Sequence, residues 1–165
     1  MSSDAHPPAR TPRSVLFVCT GNTCRSPLAE RLCRRLLADR LGCEPGELEG
    51  RGFAVGSAGV MAYLGDIASP PAVVAAEELG AELADHLSRP VTPELLAGAT
   101  DVIAMTVGHL ELLAYRFPNV GPPPVPLSAD GDIPDPIGGD LDEYRACARR
   151  IVEHLDRFIT RWLGP

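Results

Sequence analysis

In the stretch "VLFVCTGNTCRSPLAE" (residues 15–30), Cys19, Cys24, Arg25 and Ser26 share one short polar loop between an apolar run and a helical pattern. Such residues at such spacing serve three chemistries: a metal clip, a redox pair, or an anion cradle with a nucleophile at its base. Zinc fits badly, because Cys19 and Cys24 are not at zinc-ligand spacing and no second Cys/His pair follows. An anion cradle fits well. Residues 19–25 would wrap successive backbone N–H groups around a concavity at a helix N-terminus, whose partial positive charge favours anions. Gly21 lets the backbone turn where a side chain would obstruct it, and Arg25 adds a planar fork matched to phosphate oxygens. A cysteine at the base of that nest should have a lowered pKa, because N–H dipoles and arginine favour the thiolate. The bare spacing of Cys19 and Arg25 decides nothing: five cysteines and 15 arginines in 165 positions give about 0.45 chance matches. Its place between a strand and a helix gives it weight.

The elements that must hold this loop alternate between two periods. "SVLFVC" (14–19) is a continuous apolar run, as a strand buried on both faces requires. Pro27 suits the first turn of the following helix, and Leu28, Leu32, Leu36, Leu37 and Leu41 repeat at helical spacing. "FAVGSAG" (53–59) predicts a second strand and "SPPAVVAAEELGAEL" (69–83) a serine-capped helix. "TPELL" (92–96) begins a short helix in the same way. "DVIAMT" (101–106) predicts a third strand, followed by a helix to about Phe117. The prolines of "GPPPVPLS" (121–128) allow only a brief edge strand. A polar loop, "GDIPDPIGG" (131–139), leads to a last helix whose start carries the capping-box pair Asp140 and Glu143. Its buried face should hold Leu141, Tyr144, Ala148, Ile151, Leu155, Phe158, Ile159 and Trp162. The sum is an α/β fold: a single three-layer domain, a short doubly wound parallel sheet with helices on both faces. Ligands of such sheets sit beyond the carboxyl ends of the strands, where the first loop lies.

Length and composition are those of one globular domain, with 45% apolar and 22% charged residues. A net charge of −7 and the lack of a basic stripe argue against a nucleic-acid partner. All fifteen basic residues are arginine, a bias without mechanistic meaning. The polar, proline-rich start "MSSDAHPPARTPR" is expected to be a disordered leader over 1–13, with the domain over 14–165. No apolar run has the roughly 18 residues a membrane span needs, so no membrane partner is expected. Five cysteines without a secretory signal read as thiols, which points to the cytoplasm.

"VCTGNTCRSP" (18–27) resembles the phosphate-binding loop of the low-molecular-weight protein tyrosine phosphatases. "SAGV" (57–60), "VIAMT" (102–106) and "DPIGG" (135–139) match further family motifs in the family's order, over roughly residues 14–160. The resemblance implies the low-molecular-weight phosphatase fold and a cysteine-dependent protein phosphatase with no cofactor and no metal. Its substrate would be a phosphorylated protein. Thr20, Gly21, Asn22, Thr23, Cys24, Arg25 and Ser26 would then bind phosphate or a similar oxyanion. Cys19 would be the nucleophile, forming a cysteinyl-phosphate. Arg25 and the loop amides would hold the equatorial oxygens, Ser26 would hydrogen-bond the sulfur, and Asn22 would brace the loop. Among Asp130, Asp132, Asp135 and Asp140, Asp135 matches the family's Asp-Pro motif and is the expected general acid. Asp140 reads as a helix cap, and Asp130 and Asp132 as a solvated turn.

Substrate preference rests on Thr23 and Ile137. Tyrosine-specific members usually carry a bulky aliphatic residue in place of Thr23 and aromatic residues after Asp-Pro. Here Thr23 is small and polar, and Ile137-Gly138-Gly139 follow Asp135-Pro136. That combination resembles the bacterial protein arginine phosphatases, although these often have an aromatic where Ile137 stands. It favours phosphoarginine, with phosphotyrosine as the alternative. A thiol-coupled arsenate reductase would need further cysteines near residues 80–95, where there are none. A non-catalytic phosphate-binding module is disfavoured by the intact Cys19, Arg25, Ser26 and Asp135. Cys24 could guard Cys19 by a reversible disulfide or merely pack the loop. Cys33, Cys43 and Cys147 read as core or incidental thiols, Tyr144 as core, and His86, His109 and His154 as surface or capping residues.

Overall fold

A computed structural model describes residues 12–165. The expected leader lies outside the described residues up to position 11, and the first strand already takes in Arg13. Four parallel strands form one sheet in the order β2-β1-β3-β4: β1 Arg13–Cys19, β2 Phe53–Gly59, β3 Asp101–Ala104 and β4 Val125–Pro126. Five α-helices accompany them among the described residues: α1 Arg25–Leu41, α2 Pro70–Glu78, α3 Pro93–Ala97, α4 Val107–Arg116 and α5 Leu141–Leu163.

The alternation of side chains along β1 divides the core between the two faces of the sheet. Val15 and Phe17 pack with Leu28, Leu32 and Leu37 of α1, the alanines of α2, and Ile151, Leu155 and Ile159 of α5. Leu16 and Val18 face the other way, against Val102, Leu96 of α3 and Leu113 of α4. The result is the expected three-layer α/β domain. Phe17, Phe158, Trp162 and Phe53 form an aromatic chain with ring centroids 5.3–6.1 Å apart. The Trp162 indole N–H donates to Asp101 Oδ2 at 2.8 Å and ties the end of α5 to the start of β3.

Local differences from the sequence expectation have local causes. The second long helix ends at Glu78 because Gly80 takes a φ of 80° and turns the chain. β4 is two exposed residues at the sheet edge, as its prolines require. Asp140 caps α5 by accepting from the Glu143 N–H at 2.9 Å, which is the forward half of the capping box. The expected buried face of α5 is buried except for Leu141, which is half-buried. Cys147 and His154 join that face. No helix among the described residues is long and apolar enough to cross a membrane.

Strand order reverses at β1: the chain moves from β1 outward to β2, then returns to β3 on the other side. The crevice at the carboxyl end of β1 is therefore the topological switch point, where doubly wound sheets bind ligands. Residues 20–24 occupy that position.

Candidate active site

The turn from β1 to α1 is held from outside, which aims its amides inward. Its carbonyls are taken by neighbouring segments: Cys19 by the Val60 N–H, Thr20 by the Met61 N–H and Thr23 by the Ser69 N–H, each at 2.9 Å. The Asn22 carbonyl accepts from His86 Nε2 at 2.7 Å. On the inner side, the backbone N–H groups of Asn22 and Ser26 reach the Cys19 sulfur. Asn22 adopts the left-handed conformation (φ 56°), which asparagine tolerates better than most residues. Gly59 lets β2 close against this turn: a Cβ there would run into the Thr20 carbonyl and come within 3.0 Å of the Asn22 nitrogen. The glycine of "SAGV" is thus explained by close approach of two backbones.

Behind the loop lies a buried polar chain. The Cys19 Sγ is 2.9 Å from Ser26 Oγ, and the Asn22 amide donates to Ser26 Oγ at 2.8 Å and to Ser57 Oγ at 2.9 Å. Ser57 donates in turn to Glu30 Oε1 at 2.9 Å, and Arg31 and Arg34 neutralise that carboxylate. Asn22 Oδ1 accepts from the Arg89 backbone N–H at 3.0 Å. Every polar group of the Asn22 side chain is therefore hydrogen-bonded to the loop's supports. Buried polar chains of this kind hold one geometry because each unmade bond would leave a desolvated group.

Electrostatics at Cys19 depart from the sequence expectation. Burial pushes the thiol up, and the Ser26 hydroxyl, the Ser26 and Asn22 amides and the Arg25 charge pull it down without cancelling that effect. The lowered pKa read from dipoles and arginine alone leaves out desolvation, since Cys19 is only 3% exposed. Cys33 is also pushed up by burial, as is Cys147, to about 12, and both fit inert core thiols.

Arg25 and Asp135 meet at the mouth. Arg25 is buried beneath the loop, with Nη1 donating to the Ile133 carbonyl at 3.0 Å. Its Nη2 lies 3.3 Å from Asp135 Oδ2 and 3.5 Å from Thr20 Oγ1. The Asp135 side chain is 41% exposed, and its other oxygen accepts from the Ile137 N–H at 3.1 Å, an Asx turn that fixes the carboxylate on its loop. Of the rival carboxylates, Asp132 accepts from the Val107 N–H at 2.8 Å and secures the start of α4, and is more than the solvated turn expected of it. Asp130 stays near solvent, 3.5 Å from Arg157.

Thr23 is half-buried on the loop with its hydroxyl 3.8 Å from Cys24 Sγ, and Ile137 is 67% exposed at the rim. Cys24 turns its sulfur toward Ser69 Oγ (2.9 Å) and the Tyr144 hydroxyl (3.5 Å), so its side chain packs the loop from beneath. All five cysteines are free thiols. The sequence reading missed Glu30, Ser57, Ser69 and Arg89 as supports. It also took His86, His109 and His154 for surface or capping residues, whereas all three are buried, at 4–6% exposure. Among the described residues, no group of three His, Cys, Asp or Glu is placed to hold a metal ion.

The arrangement can seat a tetrahedral oxyanion over a sulfur, with an arginine at its side and a carboxylate at its edge. Residues 14–162 match the family described as low molecular weight phosphotyrosine protein phosphatase. A curated relative named protein-arginine-phosphatase, from Geobacillus stearothermophilus, is 40% identical over 151 residues, covering 88% of this chain and 93% of its own. The solved structure of YwlE arginine phosphatase from the same organism superposes with a TM-score of 0.80 at 37% identity, covering 92% and 94% of the two chains. The tyrosine phosphatase Wzb from Escherichia coli K30, solved in complex with sulphate, gives a TM-score of 0.78 at 28% identity over 92% and 98%.

Proposed function

The chain belongs to the low molecular weight phosphotyrosine protein phosphatase family and is a protein phosphatase, and on that premise we propose that it hydrolyses phosphoarginine in proteins. Cys19 attacks phosphorus in line as the thiolate, and the bond from phosphorus to the leaving guanidino nitrogen breaks as Asp135 gives that nitrogen its proton. Arg25 exchanges its contact with Asp135 for the equatorial phosphate oxygens, which the inward amides share. In the second step water attacks the cysteinyl-phosphate, Asp135 takes the water's proton, and the sulfur leaves as a thiolate that Ser26 hydrogen-bonds. The Ser26, Arg25 and Asn22 contacts favour charge on the sulfur and so oppose part of the effect of its burial. Arginine and the loop's amides carry most of the phosphate charge, so the reaction calls for no cofactor. The free thiols fit a reducing compartment, and the cytoplasm is part of this reading.

The observation that carries the substrate choice is the pair of residues at the mouth. Thr23 offers a hydroxyl to a polar phosphoramidate, and Ile137 and two glycines stand where a phenol ring would want aromatic walls. Relatives named protein-arginine-phosphatase support it. Thr23→Ile puts the choice to the test. It should lower kcat/KM on phosphoarginine peptides and raise it on phosphotyrosine peptides, moving the ratio by about tenfold to a hundredfold. An unchanged ratio would remove Thr23 from specificity.

A further inference from the structure

His109, which the reaction as written does not use, sits third in α4 with its backbone N–H on Thr106 Oγ1 at 3.1 Å. The residue is 4% exposed, and its ring reaches across to the phosphate loop, where Nε2 lies 2.8 Å from Thr20 Oγ1. Its other nitrogen, Nδ1, is buried with no hydrogen-bond partner, alone in this among the described buried side-chain nitrogens and oxygens. That isolation selects the tautomer. A proton on Nδ1 would be a buried N–H donor without an acceptor, which costs more than a bare lone pair, so the proton sits on Nε2 and is donated to Thr20. Burial and the neighbouring Arg25 charge hold the ring neutral, down to about 4, against the opposite pull of Asp132 and Asp135.

Thr20 Oγ1 also receives Arg25 Nη2 at 3.5 Å. A hydroxyl that accepts from two nitrogens keeps its own proton for a third direction. Arg25 Nη2 touches Asp135 as well, so this hydroxyl stands at the point where arginine, acid and loop converge. We propose that His109 is a positioning residue that orients the Thr20 hydroxyl to donate a hydrogen bond to a substrate phosphate oxygen beside Arg25. His109 touches no reacting atom, and it acts through Thr20 alone. This inference rests on the reading of the loop as a phosphate site.

The test is a double-mutant cycle with His109→Leu and Thr20→Val, read as kcat/KM on a phosphoarginine peptide and as the inhibition constant of inorganic phosphate. His109→Leu should lower kcat/KM and phosphate affinity each by about tenfold, the scale of one hydrogen bond to a charged group. His109→Gln, which keeps an N–H near the Nε2 position, should restore most of the loss. In the Thr20→Val background, His109→Leu should cost nothing further. Equal losses in both backgrounds, or no rescue by glutamine, would make His109 a packing residue only and overturn the proposal. If His109→Leu fails to fold, the Thr20 pair decides: Thr20→Val must lose activity and Thr20→Ser must keep it, and full activity in the valine variant refutes the inference. Wild-type protein that binds phosphate without turnover would refute the phosphatase mechanism, and the phosphate-affinity cycle would still decide on His109.

Discussion

Cys19→Ser should lower kcat by about 10⁴-fold or more, the scale on which removing an enzyme's nucleophile acts. Serine fits the space and can keep the contact to Ser26, now 2.9 Å from the sulfur. Its hydroxyl ionises far less readily than a thiol, so the attacking charge is lost while the loop's amides and Arg25 remain. Inorganic phosphate and vanadate should therefore still bind to the variant within about tenfold of wild type, because backbone groups and arginine supply that affinity. Phosphate release from a phosphoarginine peptide and calorimetric titration with vanadate measure the two quantities. A serine variant with turnover near wild type would mean that water attacks phosphorus directly and that the loop only binds.

Asp135→Asn should lower kcat by about 10² to 10⁴-fold with a much smaller change in KM, since it removes proton transfer and keeps shape. Asparagine can still accept from the Ile137 N–H through its carbonyl oxygen, so the Asx turn at 3.1 Å survives. The loss should shrink on p-nitrophenyl phosphate, whose leaving group needs little help from an acid. Equal losses on good and poor leaving groups would show that Asp135 orients Arg25 instead of moving a proton. Turnover unchanged by the substitution would send the search to Asp130, because Asp132 already holds the Val107 N–H at 2.8 Å.

What the sequence made legible was what lies close along the chain. The apolar run of β1, the glycine and small polar residues after it and the arginine at the start of α1 are contiguous, and strand-loop-helix is enough to place them at the carboxyl end of a strand. The buried face of α5 followed from helical period, because that face packs along its length on one continuous core shared with α1, α2 and β1. The supports of the loop were illegible for the opposite reason. Ser57 lies 27 positions from Glu30, Arg89 lies 67 from Asn22, and His109 lies 89 from Thr20. Glu30 in "LAERL" reads as a solvated helix residue, and only the approach of β2 to α1 buries it. The Cys19 thiol was misread because dipoles and arginine show in the sequence, whereas the burial that opposes them is a property of the packed sheet.

The most direct test of the proposed function is kcat/KM of the wild-type protein on one peptide sequence carrying either phosphoarginine or phosphotyrosine. With Thr23 on the loop and no aromatic after Asp135-Pro136, phosphoarginine should be favoured by about tenfold or more. A ratio that favours phosphotyrosine would contradict the assignment of this protein to phosphoarginine and leave only its phosphatase chemistry standing.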